Sequence, residues 1–328
     1  MADVLYVTEG WCVHDDRWTQ ALRDVGFDPN VIQVGRDVSA ARDLADYISG
    51  RQLADFPILA GPLDTVTEHL RDFGRRVVGL SWGFDIHRMD ELAWLGDLGG
   101  VIVDSVATAE LLREADVDPA RITYLPWGVD LEAFPAAQPL VTRASLGIPD
   151  EAKVILSLRA HEQRYHVGDV INAFAEVAAA DPDALLVVGS TGSLTEDLER
   201  QCASLSIHNR VYFIGQRTES EVADLLVLAD AYVSASEVDG TSVTLLQAMA
   251  SGTPCVVSDI PGNRPWIEDG RTGWLFALGD SAHLAKAIHQ ALASPGSTAH
   301  EARIQVEAEA DWLVNRNRLV TALGNTGP

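Results

Sequence analysis

The chain has 328 residues, enough for two domains that each bury a core of their own. Apolar residues make up 47% of it and the mean hydropathy is +0.05, which excludes a disordered or low-complexity protein. Its 24 basic and 48 acidic residues give a net charge of −24, a field that repels nucleic acid and anionic lipid headgroups as whole-surface partners. All the basic residues but Lys153 and Lys286 are arginine, a bias that fits either adaptation to high salt or a GC-rich genome. No apolar run approaches the ~18 residues a membrane span needs, and the start MADVLYVTEGW lacks a basic segment followed by an apolar signal core. We therefore expect a cytoplasmic protein with no integral membrane segment. Cys12, Cys202 and Cys255 are far apart and in no metal-ligand spacing, so buried thiols and no metal site are expected.

Short apolar runs alternate with longer amphipathic segments, the pattern of βα units and a parallel sheet. In the first half the predicted strands are Val4–Val7, Val31–Val34, Pro57–Ala60, Val77–Leu80, Val101–Val103 and Ile122–Leu125. Between them lie predicted helices over Asp16–Val25, Ala40–Ile48, Thr65–Phe73, Asp90–Leu95 and Thr108–Ala115. Pro126–Pro149, with prolines at both ends and no sustained period, reads as a connection between domains. A second series follows, with strands Val154–Leu158, Leu185–Val188, Val211–Ile214, Ala231–Ser234 and Cys255–Ser258. Its helices are Val167–Ala180, Thr195–Leu205, Glu219–Ala229, Val243–Ala250 and His283–Ala293. Ser193 with Glu196 and Thr218 with Glu221 have the spacing of reciprocal capping boxes. The polar stretch Ser294–Ala299 sets off a last helix over Glu301–Leu323. The fold class expected is α/β, two Rossmann-like domains (1–130 and 131–300) in tandem with a ligand cleft between their strand C-terminal ends.

The most informative stretch is Ala231–Asp259, AYVSASEVDGTSVTLLQAMASGTPCVVSD, which reads strand, small-residue turn, helix, glycine stop, strand. A helix starting near Thr241–Val243 leaves backbone N–H groups unpaired behind the positive end of its dipole, a place for phosphate or a sugar hydroxyl. Thr241 and Ser242 add hydroxyls, and Gly240 lets a ligand approach the backbone. Asp239 stands in the turn and Gln247 on the second turn of the helix. An ordinary βαβ unit with a polar turn explains the same residues.

The stretch resembles the signature of retaining GT-B glycosyltransferases of family 4, the group 1 family: two acidic residues enclosing seven others, followed by A-M-A-x-G-x-P-V-V. Asp239 falls on the first acidic position and Gln247 on the second, with Ala248, Met249, Gly252 and Pro254 matching behind them. Pro261-Gly262-Asn263-Arg264 and the run Asp269–Phe276 are similar to the family's donor-domain tail. Leu125-Pro126-Trp127-Gly128-Val129-Asp130 resembles its interdomain element, and His14-Asp15-Asp16-Arg17 the start of its first helix. Ala60-Gly61-Pro62-Leu63 and Ser81-Trp82-Gly83-Phe84-Asp85 resemble a subgroup's A-G-P-L and S-W-G-S-D. The matches run from about residue 14 to the C-terminus.

The resemblance implies a GT-B fold whose two domains face each other across a cleft, the last helix (about 301–328) packing back on the first. The first would be the acceptor side and the second would bind a nucleoside-diphosphate sugar, with no cofactor and no essential metal. It implies donor contacts at Gly10, Arg159, Arg164, Gly215, Gln216, Arg217, Asp239, Gly240, Thr241, Ser242, Val243 and Gln247, and catalytic roles for Asp239, Arg159, Asp85 and His14. Arg159 matches the family's arginine; the lysine usual five residues later is absent, and either Arg164 or Tyr165-His166 aligns there. Arg217 reads equally as a surface residue before a helix, and Asp15 and Asp16 as stabilisers of a helix N-terminus. Gln247 puts an amide where relatives have a ribose-binding carboxylate, so restoring the acid by Gln247→Glu is expected to tighten donor binding.

The function implied is transfer of a sugar from a nucleoside-diphosphate sugar to a hydroxyl acceptor with retention. Gln247 and the absent lysine motivate an alternative, a weak or inactive relative that binds nucleotide sugar or glycan in an assembly pathway. A nicotinamide-dependent dehydrogenase is excluded, because Thr8-Glu9-Gly10 supplies no G-x-G-x-x-G after the first strand.

Overall fold

The computed structural model describes residues 2–35, 44–50, 55–83, 85–135, 138–293 and 295–324. Residues 40–43 of the second predicted helix, Phe84 and Ser294 lie outside them. The chain forms two compact units, Met1–Trp127 with Leu313–Pro328, and Gly128–Trp312.

The first unit runs β1 (Ala2–Thr8), α1 (Val13–Asp24), β2 (Phe27–Gln33), α2 (Leu44–Gly50), β3 (Ile58–Gly61), β4 (Val77–Leu80), β5 (Gly100–Val103), α3 (Val106–Glu114) and β6 (Ile122–Tyr124). Its six strands make one parallel sheet in the order β2-β1-β3-β4-β5-β6. β3, β4 and β5 are buried throughout, as their unbroken apolar runs require of strands covered on both faces. β2 starts four residues earlier than the apolar run Val31–Val34 suggests. Pro29 and the polar residues around it hide the strand in the sequence, yet an edge strand tolerates proline. The helices expected over Thr65–Phe73 and Asp90–Leu95 are 3-10 segments, Thr67–Arg76 and Ala93–Asp97. In the first, the Thr67 hydroxyl bonds the Ala60 carbonyl at 2.7 Å and ties the chain to β3.

The second unit runs β7 (Lys153–Ser157), α4 (Val167–Ala180), β8 (Ala184–Gly189), α5 (Thr195–Ser204), β9 (Val211–Gly215), α6 (Glu219–Leu228), β10 (Ala231–Ser234), α7 (Val243–Ala250), β11 (Cys255–Ser258), β12 (Trp274–Phe276), α8 (Ser281–Ala293) and α9 (Pro295–Glu309). The sheet is again parallel, in the order β12-β11-β10-β7-β8-β9. Ile155, Val233 and Val256 of its strands pack with Val170, Phe174 and Ile288 of the helices in one buried core. Thr218 and Glu221 form the expected capping box. Ser193 does not cap α5; its N–H and hydroxyl both donate to Glu162, at 2.9 and 2.6 Å.

The single last helix expected from Glu301 is three pieces: α9, then α10 (Trp312–Asn315) and α11 (Arg318–Gly324). α9 stays with the second unit, packing on α7, where Arg303 donates to the Ala250 carbonyl. Between α9 and α10 the chain pairs with Val129, whose N–H donates to Ala310 (2.8 Å) and whose carbonyl accepts from Trp312 (3.1 Å). A side chain on Gly128 would come within 2.7 Å of the Ala310 carbonyl, which gives the G-V pair its physical reason. Only the chain from Leu313 on belongs to the first unit, where Arg318 donates to Tyr124 at 2.8 Å and Arg316 pairs with Asp24 at 2.5 Å.

Candidate functional site

In the second sheet the strand order reverses between β7 and β10, the place where open α/β sheets bind ligands beyond their strand ends. Arg159 follows β7 there and the turn Asp239–Ser242 follows β10. The Arg159 Nη2 pairs with the Asp239 carboxylate at 2.7 Å, and Nη1 donates to the Ser242 hydroxyl at 2.9 Å. Both charged side chains are almost buried, at 11% and 12% exposure, so solvent screens their attraction little. Burial pulls the Arg159 guanidinium down, but Asp239 together with Tyr232 and Tyr165 more than offsets it, so the arginine stays charged. Its Nε–H has no hydrogen-bond partner among the described residues.

The loop that carries Arg159 is held by His161, whose Nε2 donates to the Gly189 carbonyl (3.2 Å) while Nδ1 accepts from Thr195 (2.8 Å). Burial lowers its pKa and keeps that ring neutral. Tyr165 lies under both arginines, with the guanidinium carbons of Arg159 and Arg164 at 4.3 and 5.3 Å from its ring centre. Arg164 thus shares the Tyr165 ring with Arg159, while His166 faces Asp169 at 3.1 Å and Glu237 at 3.5 Å.

Gly240, Thr241 and Ser242 are buried in the turn, and Ser242 caps α7 by accepting from the Leu245 N–H. Val243 opens the helix, whose first N–H groups have no partner within it. The turn rests on Gly262: a Cβ there would come closer than 3.0 Å to the carbonyl groups of Asp239 and Gly240. Gln247 is buried one turn further on, and its amide donates to Glu219 at 3.2 Å. Sequence reasoning missed the contact of Gln247 with Glu219 and the steric role of Gly262. At the end of β9, Gly215 takes a positive φ of 71°, and Gln216 after it accepts from Ser190 at 3.2 Å. Arg217 folds onto the Ile214 carbonyl (2.9 Å) and Glu221 (3.1 Å), so its charge serves its own helix start.

In the first unit the strand order reverses between β1 and β3, and Gly10 lies in the loop after β1. His14, at the start of α1, packs against Trp127 at 4.9 Å and edge-on to Trp82 at 6.4 Å. Asp15 accepts from the Tyr6 hydroxyl (2.8 Å) and the Cys12 N–H (2.7 Å), completing that helix start.

Asp85, expected to be catalytic, is fully buried, and each of its oxygens accepts twice. Leu63 N–H (2.8 Å) and Trp82 N–H (3.1 Å) donate to Oδ2, and the Ser81 hydroxyl (2.8 Å) and Ile86 N–H (2.9 Å) to Oδ1. Burial pushes its pKa up against these four donors. With its acceptor capacity filled, Asp85 is a clamp that joins the A-G-P-L and S-W-G motifs, not a proton carrier. Asp85→Ala should lower the melting temperature by about 10 °C, because four donors lose their acceptor in a dry site. A catalytic carboxylate would instead lose activity with the melting temperature intact.

Burial pushes the Cys12 and Cys202 thiols up to about 11, which leaves them unreactive. No helix among the described residues is long and apolar enough to cross a membrane, and none of their His, Cys, Asp and Glu side chains form a group of three or more that could hold a metal ion.

The chain belongs to the glycosyl transferases group 1, whose family model matches residues 141–310, just over half of it. It is similar to alpha-monoglucosyldiacylglycerol synthase of Streptococcus pneumoniae, 33% identical over 215 residues, 63% of this chain and 48% of that protein. It is also similar to phosphatidyl-myo-inositol mannosyltransferase of Mycobacterium leprae, 30% identical over 228 residues, 67% of this chain and 58% of that one. The chain spans about half the length of the curated relatives it matches. Among solved structures, Anabaena HepE in complex with UDP superposes with a TM-score of 0.80 at 14% identity, over 99% of this chain and 100% of that one. Sucrose-phosphate synthase from Thermosynechococcus elongatus does so with 0.80 at 18%, over 98% of each chain. The fold is thus the two-domain α/β fold of the GT-B glycosyltransferases.

Proposed function

We propose that the protein is a cytoplasmic, retaining glycosyltransferase that moves a sugar from a nucleoside-diphosphate donor to a hydroxyl acceptor. The observation that carries this reading is Arg159, charged, nearly buried at the strand-order reversal, and bound to both Asp239 and the cap of α7. Negative charge grows on the β-phosphate as the glycosidic bond breaks, and Arg159 with the first N–H groups of α7 meets it with fixed positive partners. Asp239 aims the guanidinium and offers its carboxylate to the hydroxyls of the donor sugar.

No cofactor has a role in this reading. The C–O bond to phosphate breaks, the acceptor oxygen bonds the same face of the anomeric carbon, and the acceptor proton passes to the departing phosphate. The UDP complex of HepE supports a nucleotide donor. The names of the pneumococcal and mycobacterial relatives support a hydroxyl acceptor.

A second reading, binding without turnover, is favoured by Gln247 in place of an acid. Incubation with UDP-, GDP- and ADP-sugars separates the two, read by thermal shift and by release of nucleoside diphosphate. We expect release with at least one donor, falling by on the order of a hundredfold in Asp239→Ala. Binding with no release would establish the second reading, and unchanged release in Asp239→Ala would refute the assigned site.

A further inference from the structure

Gln247 is 5% exposed, and its Nε2 donates to Glu219 Oε1 at 3.2 Å. Glu219 opens α6 directly after the Thr218 cap, exposed at the same strand-end edge of the sheet where α7 begins. Among the described residues its carboxylate has no other hydrogen-bond or ion-pair partner. A carboxylate at position 247 would set two like charges about 3 Å apart, and one would have to stay protonated. An amide at 247 and an acid at 219 are therefore a matched set: one negative charge, fixed by a hydrogen bond and open to solvent.

Gln247 stands one helical turn beyond Val243, and long side chains on a helix lean back toward its N-terminus. The pair thus lies beside the place where the proposed diphosphate docks. A carboxylate with free lone pairs accepts two neighbouring hydroxyl donors better than an amide does.

We infer that Glu219, oriented by Gln247, is the donor-binding carboxylate of this chain and accepts the vicinal hydroxyls of the donor's ribose. The charge that the resemblance places on α7 stands here on α6. The inference rests on the donor reading given above, and it reverses the expectation that Gln247→Glu tightens binding.

The test is calorimetric titration with UDP, GDP and ADP, each beside its 2′,3′-dideoxy counterpart. The wild-type chain should prefer the ribose form of whichever nucleotide it binds by about tenfold or more. Glu219→Gln should bring that preference to within about threefold of unity, and Gln247→Glu alone should weaken binding. The exchange Glu219→Gln with Gln247→Glu returns one charge to the site and should restore the preference.

A pair that merely ties α6 to α7 would lower the melting temperature of the variants and leave the ribose preference untouched. Full preference in Glu219→Gln, or tighter binding by Gln247→Glu, would overturn the inference. If Glu219→Gln keeps the full ribose preference while nucleotides still bind, and bind more weakly in Arg159→Ala, the role of Glu219 alone is refuted and the donor reading stands. If none of the three nucleotides binds the wild-type chain, the donor reading fails and takes this inference with it.

Discussion

Arg159→Ala is expected to lower kcat/KM for sugar transfer by on the order of a thousandfold, the cost of deleting a cation aimed at a developing oxyanion in a dry site. Two effects act together. The arginine no longer meets the leaving phosphate, and Asp239, 12% exposed, remains as an unpaired anion where a dianion must bind. The second effect also reaches stability, since stripping one partner from a nearly buried ion pair costs about 3–5 kcal/mol. Arg159→Ala with Asp239→Ala should therefore regain most of the lost stability and none of the activity. Arg159→Lys keeps the charge but not the planar fork that reaches Asp239 and Ser242 at once, so its activity should fall between the two. Steady-state kinetics and denaturation on the same four proteins check the prediction; near-normal turnover in Arg159→Ala would refute it.

Gly262→Ala should lower kcat by about a hundredfold without touching any group that meets substrate, because a displacement of about 1 Å in a positioned group is enough. The added Cβ would stand closer than 3.0 Å to the carbonyl groups of Asp239 and Gly240, and these belong to backbone that cannot rotate away. The turn has to move, and Asp239 moves with it. The overpacking should also cost about 1–3 kcal/mol of stability. Gly270→Ala is the control: Gly270 has a φ of +76° and open space around it, so alanine there strains the backbone away from the site. It should lose comparable stability and keep its kcat. Equal losses of kcat in both variants would mean that Gly262 matters through stability alone.

The strands of the two sheets were legible because parallel strands covered on both faces leave unbroken apolar runs, as β3, β4 and β5 do. β2 was half legible, since Asp28, Pro29 and Asn30 break its pattern at an edge where polarity is tolerated. β12 was quoted as a motif and missed as a strand: three residues are too few to set a period. The local geometry of the proposed donor motif could be read, because Asp239, Gly240, Thr241, Ser242 and Val243 are contiguous and their placement follows from one strand, one turn and one helix start.

What could not be read is what the fold brings together from a distance. Glu219 lies 28 residues before Gln247, and only the packing of α6 on α7 makes them neighbours. Asp85 has the chemistry of an acid, and nothing in its type or spacing tells that four donors, one of them from the distant Leu63, fill it. Gly262 matched a motif whose meaning is steric, a backbone lying where its side chain would be.

The central claim is that Arg159 and the start of α7 hold a diphosphate inside an otherwise acidic protein of net charge −24. Its most direct test is to titrate UDP, GDP and ADP against their monophosphates, with the wild-type chain and with Arg159→Ala. At least one diphosphate should bind the wild type more than tenfold tighter than its monophosphate, and Arg159→Ala should abolish that preference. A preference for the diphosphate that survives in Arg159→Ala, or equal binding of both forms to the wild type, would contradict the account.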